Sequence, residues 1–344
     1  MKKYNDSVID RIWPIEELES VDHCPYCASN LRTLAYKDAQ DWCFYSAPGK
    51  WTYWDCNECN ALYLNPRPKE ATISKAYSKY YTHNSSVVSF KQKFKTRLRN
   101  EHLSHRFNIN LLPRFNLPRV FNRVLMMLKS FVVIPFGFEQ LIKLPKRKLI
   151  DVGCGSGTTL KLAKELGWSV TGLEIDIEAV RVARSFGLDV IEGDYRNLEQ
   201  ISNKFDCIIC SHVLEHVYNP VDMLNLLISK LAPSGILLLS LPNSQSHVRE
   251  QFGENWRGLE APRHIAIPSL SWLRDFLKKN GYFVEQMQSL HDLTSVASNQ
   301  IMTARSKEIK VTFPKSIFYK LSSELTPEDK CDFIQFVCSK KLPI

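Results

Sequence analysis

The chain has no apolar run long enough to cross a bilayer. Its opening stretch, MKKYNDSVIDRIWP, lacks the apolar core of a secretory signal. Both absences lead us to expect a cytoplasmic protein. Acidic residues are scarce in one place: between 91 and 148 only Glu101 and Glu139 stand among many Lys and Arg. The net charge of +9 therefore belongs to that segment, and the remainder is slightly acidic. A glycine-rich turn is present, but it lacks the G-x-G-x-x-G spacing of dinucleotide binders. What the chain does have, 44% hydrophobic and 24% charged residues over 344 positions, is enough for a real core in one or two domains.

That turn is LIDVGCGSGTTL, residues 149–160. An apolar run ends in Asp151, and Gly153, Gly155 and Gly157 follow at alternate positions before a helical pattern. A strand that stops in such a turn lets backbone approach a ligand with no Cβ in the way. Further buried strands read at 169–176, carrying Glu174, at 190–194, ending in Asp194, and at 205–210 and 235–242. Helices are expected at 158–166 and 177–186, closed by Gly167 and Gly187. Another opens at Pro220, and a fourth follows a Ser269 or Ser271 cap and ends at Gly281. Residues 282–290 and 332–340 read as strands six and seven, with a helical insertion between them near the substrate entrance.

This series of acids and glycines at successive strand ends resembles the class I S-adenosylmethionine (SAM) dependent methyltransferases over 148–344. The resemblance implies an α/β, Rossmann-like seven-stranded sheet. It also implies Asp151 and the three glycines against the amino-acid part of SAM, Glu174 on the ribose and Asp194 near the adenine.

Ten cysteines without an export signal point to metal ligation or buried thiols before disulfides. Cys24, Cys27, Cys56 and Cys59 form two C-x-x-C knuckles, a set suited to a tetrahedral structural zinc on a small β-ribbon within 1–70. The pair Cys207 and Cys210 lies on one strand, where residues three apart face opposite ways, so we read them as core thiols. Residues 71–147 form a basic, partly apolar helical linker or cap. Cationic flanks around the apolar runs 124–128 and 131–138 suit contact with an anionic membrane or a lipid-linked substrate. Nucleic acid is a third partner for such charge.

Two patches carry candidate chemistry. His212, Glu215 and His216 follow strand four, where methyltransferases of quinone pathways resemble this chain but carry a metal-associated E-x-x-E-H. Here His212 replaces the first acid, which weakens the expectation of a divalent cation. The second patch, W-R-G-L-E-x-P-R-H within 253–269, resembles a segment of zinc-ribbon methyltransferases from glycan and secondary-metabolite clusters. His264 in it is a candidate general base, or else braces the loop. The reading is a methyltransferase for a small-molecule acceptor, with O-methylation favoured and a sugar hydroxyl or quinone-like phenol as acceptor. An RNA methyltransferase or a non-catalytic SAM-binding scaffold are the alternatives. Strand four lacks an N-P-P-Y-type motif, and no proline follows Cys210.

Overall fold

In the computed structural model, residues 8–77, 90–117, 137–145, 147–286, 292–307, 311 and 330–340 are described. The chain begins with five short strands: β1 (Leu18–Glu19), β2 (Arg32–Ala39), β3 (Trp51–Cys56), β4 (Leu62–Leu64) and β5 (Arg67–Pro68). β2, β3 and β4 form an antiparallel ribbon, and β1 pairs separately with β5. Within the basic linker, Ile73–Tyr77 form a 3-10 stretch. Helices α1 (Phe90–Phe107) and α2 (Phe138–Lys143) come next.

The larger sheet then builds up as β6 (Lys148–Val152), α3 (Thr158–Glu165), β7 (Ser169–Glu174), α4 (Ile177–Ser185), β8 (Val190–Glu192) and β9 (Phe205–Ser211). It continues with α5 (Pro220–Ser229), β10 (Leu231–Pro242), α6 (His247–Phe252), β11 (Ala266–Ile267) and α7 (Leu270–Lys279). The last elements are β12 (Phe283–Gln286), α8 (Asp292–Ser306) and β13 (Phe333–Ser339). Seven strands share one sheet in the order β12-β13-β10-β9-β6-β7-β8. The five from β10 to β8 run parallel, and β13 and β12 are antiparallel additions at one edge. The expected seven-stranded α/β architecture is therefore present.

Parallel strands covered on both faces should be largely apolar, and their central residues are. Ile150, Ile208, Cys210, Leu237 and Leu239 pack under α5 and α7, while Leu149, Cys207, Ile209, Ile236 and Leu238 pack under α3 and α4. Cys207 and Cys210 are buried on opposite faces, as the strand period requires. Helix starts are capped: Ser269, as expected, accepts from Trp272 N at 3.1 Å, and Asp176 accepts from Glu178 N at 2.9 Å. Each such cap contributes about 1 kcal/mol.

The ribbon's sheet takes in a strand from the later part of the chain. β11, far along the chain, adds to it as a fourth strand, with Ala266 opposite Tyr63 and Ile267 opposite Leu62. Cys24, Tyr26, Cys56, Cys59 and Tyr63 share a hydrophobic core with β9 and β10. A ribbon of this size cannot bury its own faces, so it borrows the neighbouring sheet. The described part of the basic segment, α1, packs through Leu103 against Phe138 and Leu162, on the outside of α2 and α3. The apolar run 124–128 and nearly all of 131–138 lie outside the described residues. Among those described, no helix is long and apolar enough to cross a membrane.

Candidate functional site

The cofactor side is assembled from strand ends that are near in sequence. After β6 the chain turns through Gly153, Gly155 and Gly157, all at positive φ, and Gly157 starts α3. A Cβ on Gly153 would sit 2.2 Å from Cγ2 of Val213, and one on Gly157 would strike Leu188. Gly155 is different: a Cβ there would meet nothing within 4 Å. Its face opens onto free space, which is what a ligand cradle needs. Glu174, buried at the end of β7, accepts Gly155 N at 2.7 Å and Asp176 N at 2.9 Å. A carboxylate has about four lone-pair positions, so two remain for ribose hydroxyls.

Asp151 is buried beside this turn, and burial, helped by nearby Glu174, pushes its carboxyl up to about 8. Asp194 caps the turn after β8, accepting Arg196 N at 2.8 Å. The Arg196 guanidinium also grips its carboxylate and reaches Glu70 at 2.6 Å. That hydrogen bonding, opposed by partial burial, holds Asp194 below the usual carboxylate range.

The candidate acceptor side is assembled from segments far apart in the chain. At the end of β9, His212 adopts φ +56°, an uncommon conformation for a side-chain-bearing residue, and its N–H donates to Ser240 O at 2.7 Å. The imidazole is 48% exposed, with Nδ1 3.3 Å from Glu215 Oε1 and its ring edge-on to Phe333. Glu215 is fully buried, and its other oxygen, Oε2, has no partner. Burial would raise its pKa, but the His212 hydrogen bond and the nearby His216 and His264 hold it below the ordinary value. His216 Nδ1 lies 3.0 Å from both the Tyr77 hydroxyl and Arg263 O.

His264 is buried, with Nδ1 2.6 Å from Gly258 O and its ring 4.7 Å from that of His216. A carbonyl partner requires the proton on Nδ1, so Nε2 carries the lone pair. Burial lowers its pKa to about 4, against the opposing pull of Glu260, whose Oε2 is 3.7 Å away. His264 is thus held as a neutral ring inside the loop, whereas His212 faces outward.

Residues that sequence reasoning did not single out fix this loop. Arg263 is completely buried against Asp41 of the ribbon, with Nη1 3.1 Å from Oδ2, and donates to Ala76 O at 2.8 Å. Tyr53 shares its hydroxyl between Leu259 O at 3.0 Å and His264 O at 3.1 Å. Tyr26 donates to Ala266 O, and Trp256 to Asp332. The helical insertion abuts the same loop, where Ser298 Oγ receives Arg257 N at 2.9 Å.

The four knuckle cysteines converge, with Cys24 Sγ 3.5 Å from Cys59 Sγ and Cys27 Sγ 3.4 Å from Cys56 Sγ. All four sulfurs lie within 4.8 Å of one another, a fit for one tetrahedral ion.

Residues 132–287 match a family described as "Methyltransferase domain". A ubiquinone biosynthesis O-methyltransferase of Xanthomonas campestris pv. campestris is 35% identical over 109 residues, 30% of this chain and 46% of that protein. The mitochondrial ubiquinone biosynthesis O-methyltransferase of Schizosaccharomyces pombe is 35% identical over 103 residues, 27% of this chain and 37% of that one. The chain thus spans less than half the length of these curated relatives. A solved SAM-dependent methyltransferase from Archaeoglobus fulgidus aligns over 69% of this chain and 98% of its own, at TM-score 0.42 and 18% identity. The family match takes in the glycine turn and the strands that carry Glu174 and Asp194, so this part of the chain is similar to methyltransferase domains.

Proposed function

We propose that this chain transfers a methyl group from SAM to a hydroxyl of a small molecule held between the glycine turn and the ribbon. The observation that carries this reading is the half-exposed His212, hydrogen-bonded to buried Glu215 and one residue from Val213, whose side chain packs against Gly153. An outward imidazole is thereby set next to the cofactor cradle. Bound SAM supplies an electrophilic methyl group on a sulfonium. The protein has to align the acceptor and remove its proton.

In this reading Gly153, Gly155 and Gly157 admit the amino-acid part of SAM. Asp151 lies beneath them, Glu174 uses its two remaining lone-pair positions on the ribose, and Asp194 closes the adenine side. Glu215 accepts a hydrogen bond from Nδ1–H of His212, which fixes the tautomer and leaves Nε2 to take the acceptor's proton. The arrangement favours His212 over His264 as base, because the latter is enclosed and its Nδ1 is committed to Gly258 O. O-methylation agrees with the activity for which the ubiquinone-pathway relatives are named. The four converging thiols hold zinc, which supplies folding energy to a ribbon with little core of its own. A membrane-facing role for the apolar part of the basic segment stays a proposal, since Leu125, Met126 and Phe131 lie outside the described residues.

The test is His212→Ala. It should lower kcat by roughly 10²–10⁴-fold with SAM affinity unchanged by calorimetry. Full activity in a folded His212→Ala protein would remove His212 from the chemistry.

A further inference from the structure

Glu215 presents an imbalance. Its side chain has no solvent exposure, Oε1 faces His212, and Oε2 has no hydrogen-bond donor. An unsatisfied buried polar atom of this kind is costly, and more so when charged. The two nearest imidazoles do not supply the missing donor. His264 commits its Nδ1 proton to Gly258 O, and the same nitrogen of His216 faces Arg263 O, with the Tyr77 hydroxyl on its other side as an acceptor. Each ring is then left with an Nε2 lone pair. One ligand atom from each of Glu215, His216 and His264 lies within 4.8 Å of the other two. Three side chains able to ligate thus converge, Glu215 and His264 buried and His216 partly so, and a cation would satisfy all three at once.

We propose that Glu215, His216 and His264 form a second metal site, for a divalent first-row transition ion such as zinc. The carbonyls behind both rings are the outer partners that fix ligating imidazoles in position. Two nitrogens and one oxygen suit zinc or its neighbours better than magnesium, which takes oxygen ligands. The set differs from an E-x-x-E-H site: His212 turns outward, and the third ligand comes from the loop before β11, bolted to the ribbon by Arg263. Three protein ligands leave a coordination position for water or an acceptor oxygen. The claim concerns metal binding alone and stands whether or not the methyl-transfer reading holds.

The test uses the full chain, stripped of metal and reloaded with Co²⁺. We expect two ions per chain by elemental analysis, one with intense thiolate-to-cobalt absorption and one with nitrogen and oxygen ligation by X-ray absorption. His264→Gln should drop the content from two to one while the thiolate band and SAM affinity persist. A single, all-sulfur ion in the wild type would overturn the proposal, with the third partner then being a proton shared among the side chains. Two ions retained in His264→Gln would overturn it equally. The wild-type stoichiometry and ligation decide the matter even if the variant fails to fold.

Discussion

The two halves of the site are built in opposite ways. The proposed cofactor cradle is local: Asp151, the three glycines, Glu174 and Asp194 lie at the ends of consecutive strands, joined by short helices. The acceptor side draws Asp41, Tyr53 and Tyr77 from the N-terminal part, His212 to His216 from the end of β9, and Glu260 to His264 from the loop before β11. A local site is specified by turn chemistry alone. A dispersed site needs long-range bonds to hold it, and these include a buried ion pair and a strand lent across the chain. The cradle should therefore tolerate damage to the ribbon, and the acceptor side should not.

The strongest way to break that contrast is to remove the bolt. Arg263→Met leaves Asp41 buried and unpaired, a change that costs about 3–5 kcal/mol where a buried pair is broken. We expect that loss in denaturant titration, together with loss of methyl transfer and retention of SAM binding by whatever protein remains folded. If SAM binding vanished at the same denaturant concentration as activity, the two halves would be one cooperative unit.

A finer test uses pH on the same pair. Burial opposes ionisation of Asp41, but Arg263 and the N–H groups of Ser46 and Ala47 outweigh it and hold the carboxyl below its ordinary value. A depressed carboxylate contributes stability above its unfolded pKa of about 4 and loses it as pH falls through the folded value. The stability gap between wild type and Asp41→Asn should thus be full at pH 6 and shrink below about pH 4. A gap that stays constant through that window would show that Asp41 acts by shape and not by charge.

The same contrast explains what could be read from the sequence. The glycine turn, the acids at strand ends, the cap at Ser269 and the opposed faces of Cys207 and Cys210 all follow from short-range period and turn chemistry. The lending of β11 to the ribbon does not, because Ala266 and Ile267 carry no signal of a partner two hundred residues earlier. Nor does the Arg263–Asp41 pair, whose members are 222 positions apart. His264 was visible as a histidine in a suggestive loop, but only burial and its bond to Gly258 O separate it from outward-facing His212. Residue spacing could not supply that difference, since it depends on which ring the ribbon covers.

The central claim, that the glycine turn and Glu174 hold SAM, is tested most directly by calorimetric titration of SAM into wild type and Glu174→Ala. We predict one SAM per wild-type chain and an affinity about 10- to 100-fold weaker in the variant, as expected for losing hydrogen bonds worth about 1.5–3 kcal/mol to a charged group. No uptake by folded wild-type protein, or equal affinity in a folded Glu174→Ala, would contradict it.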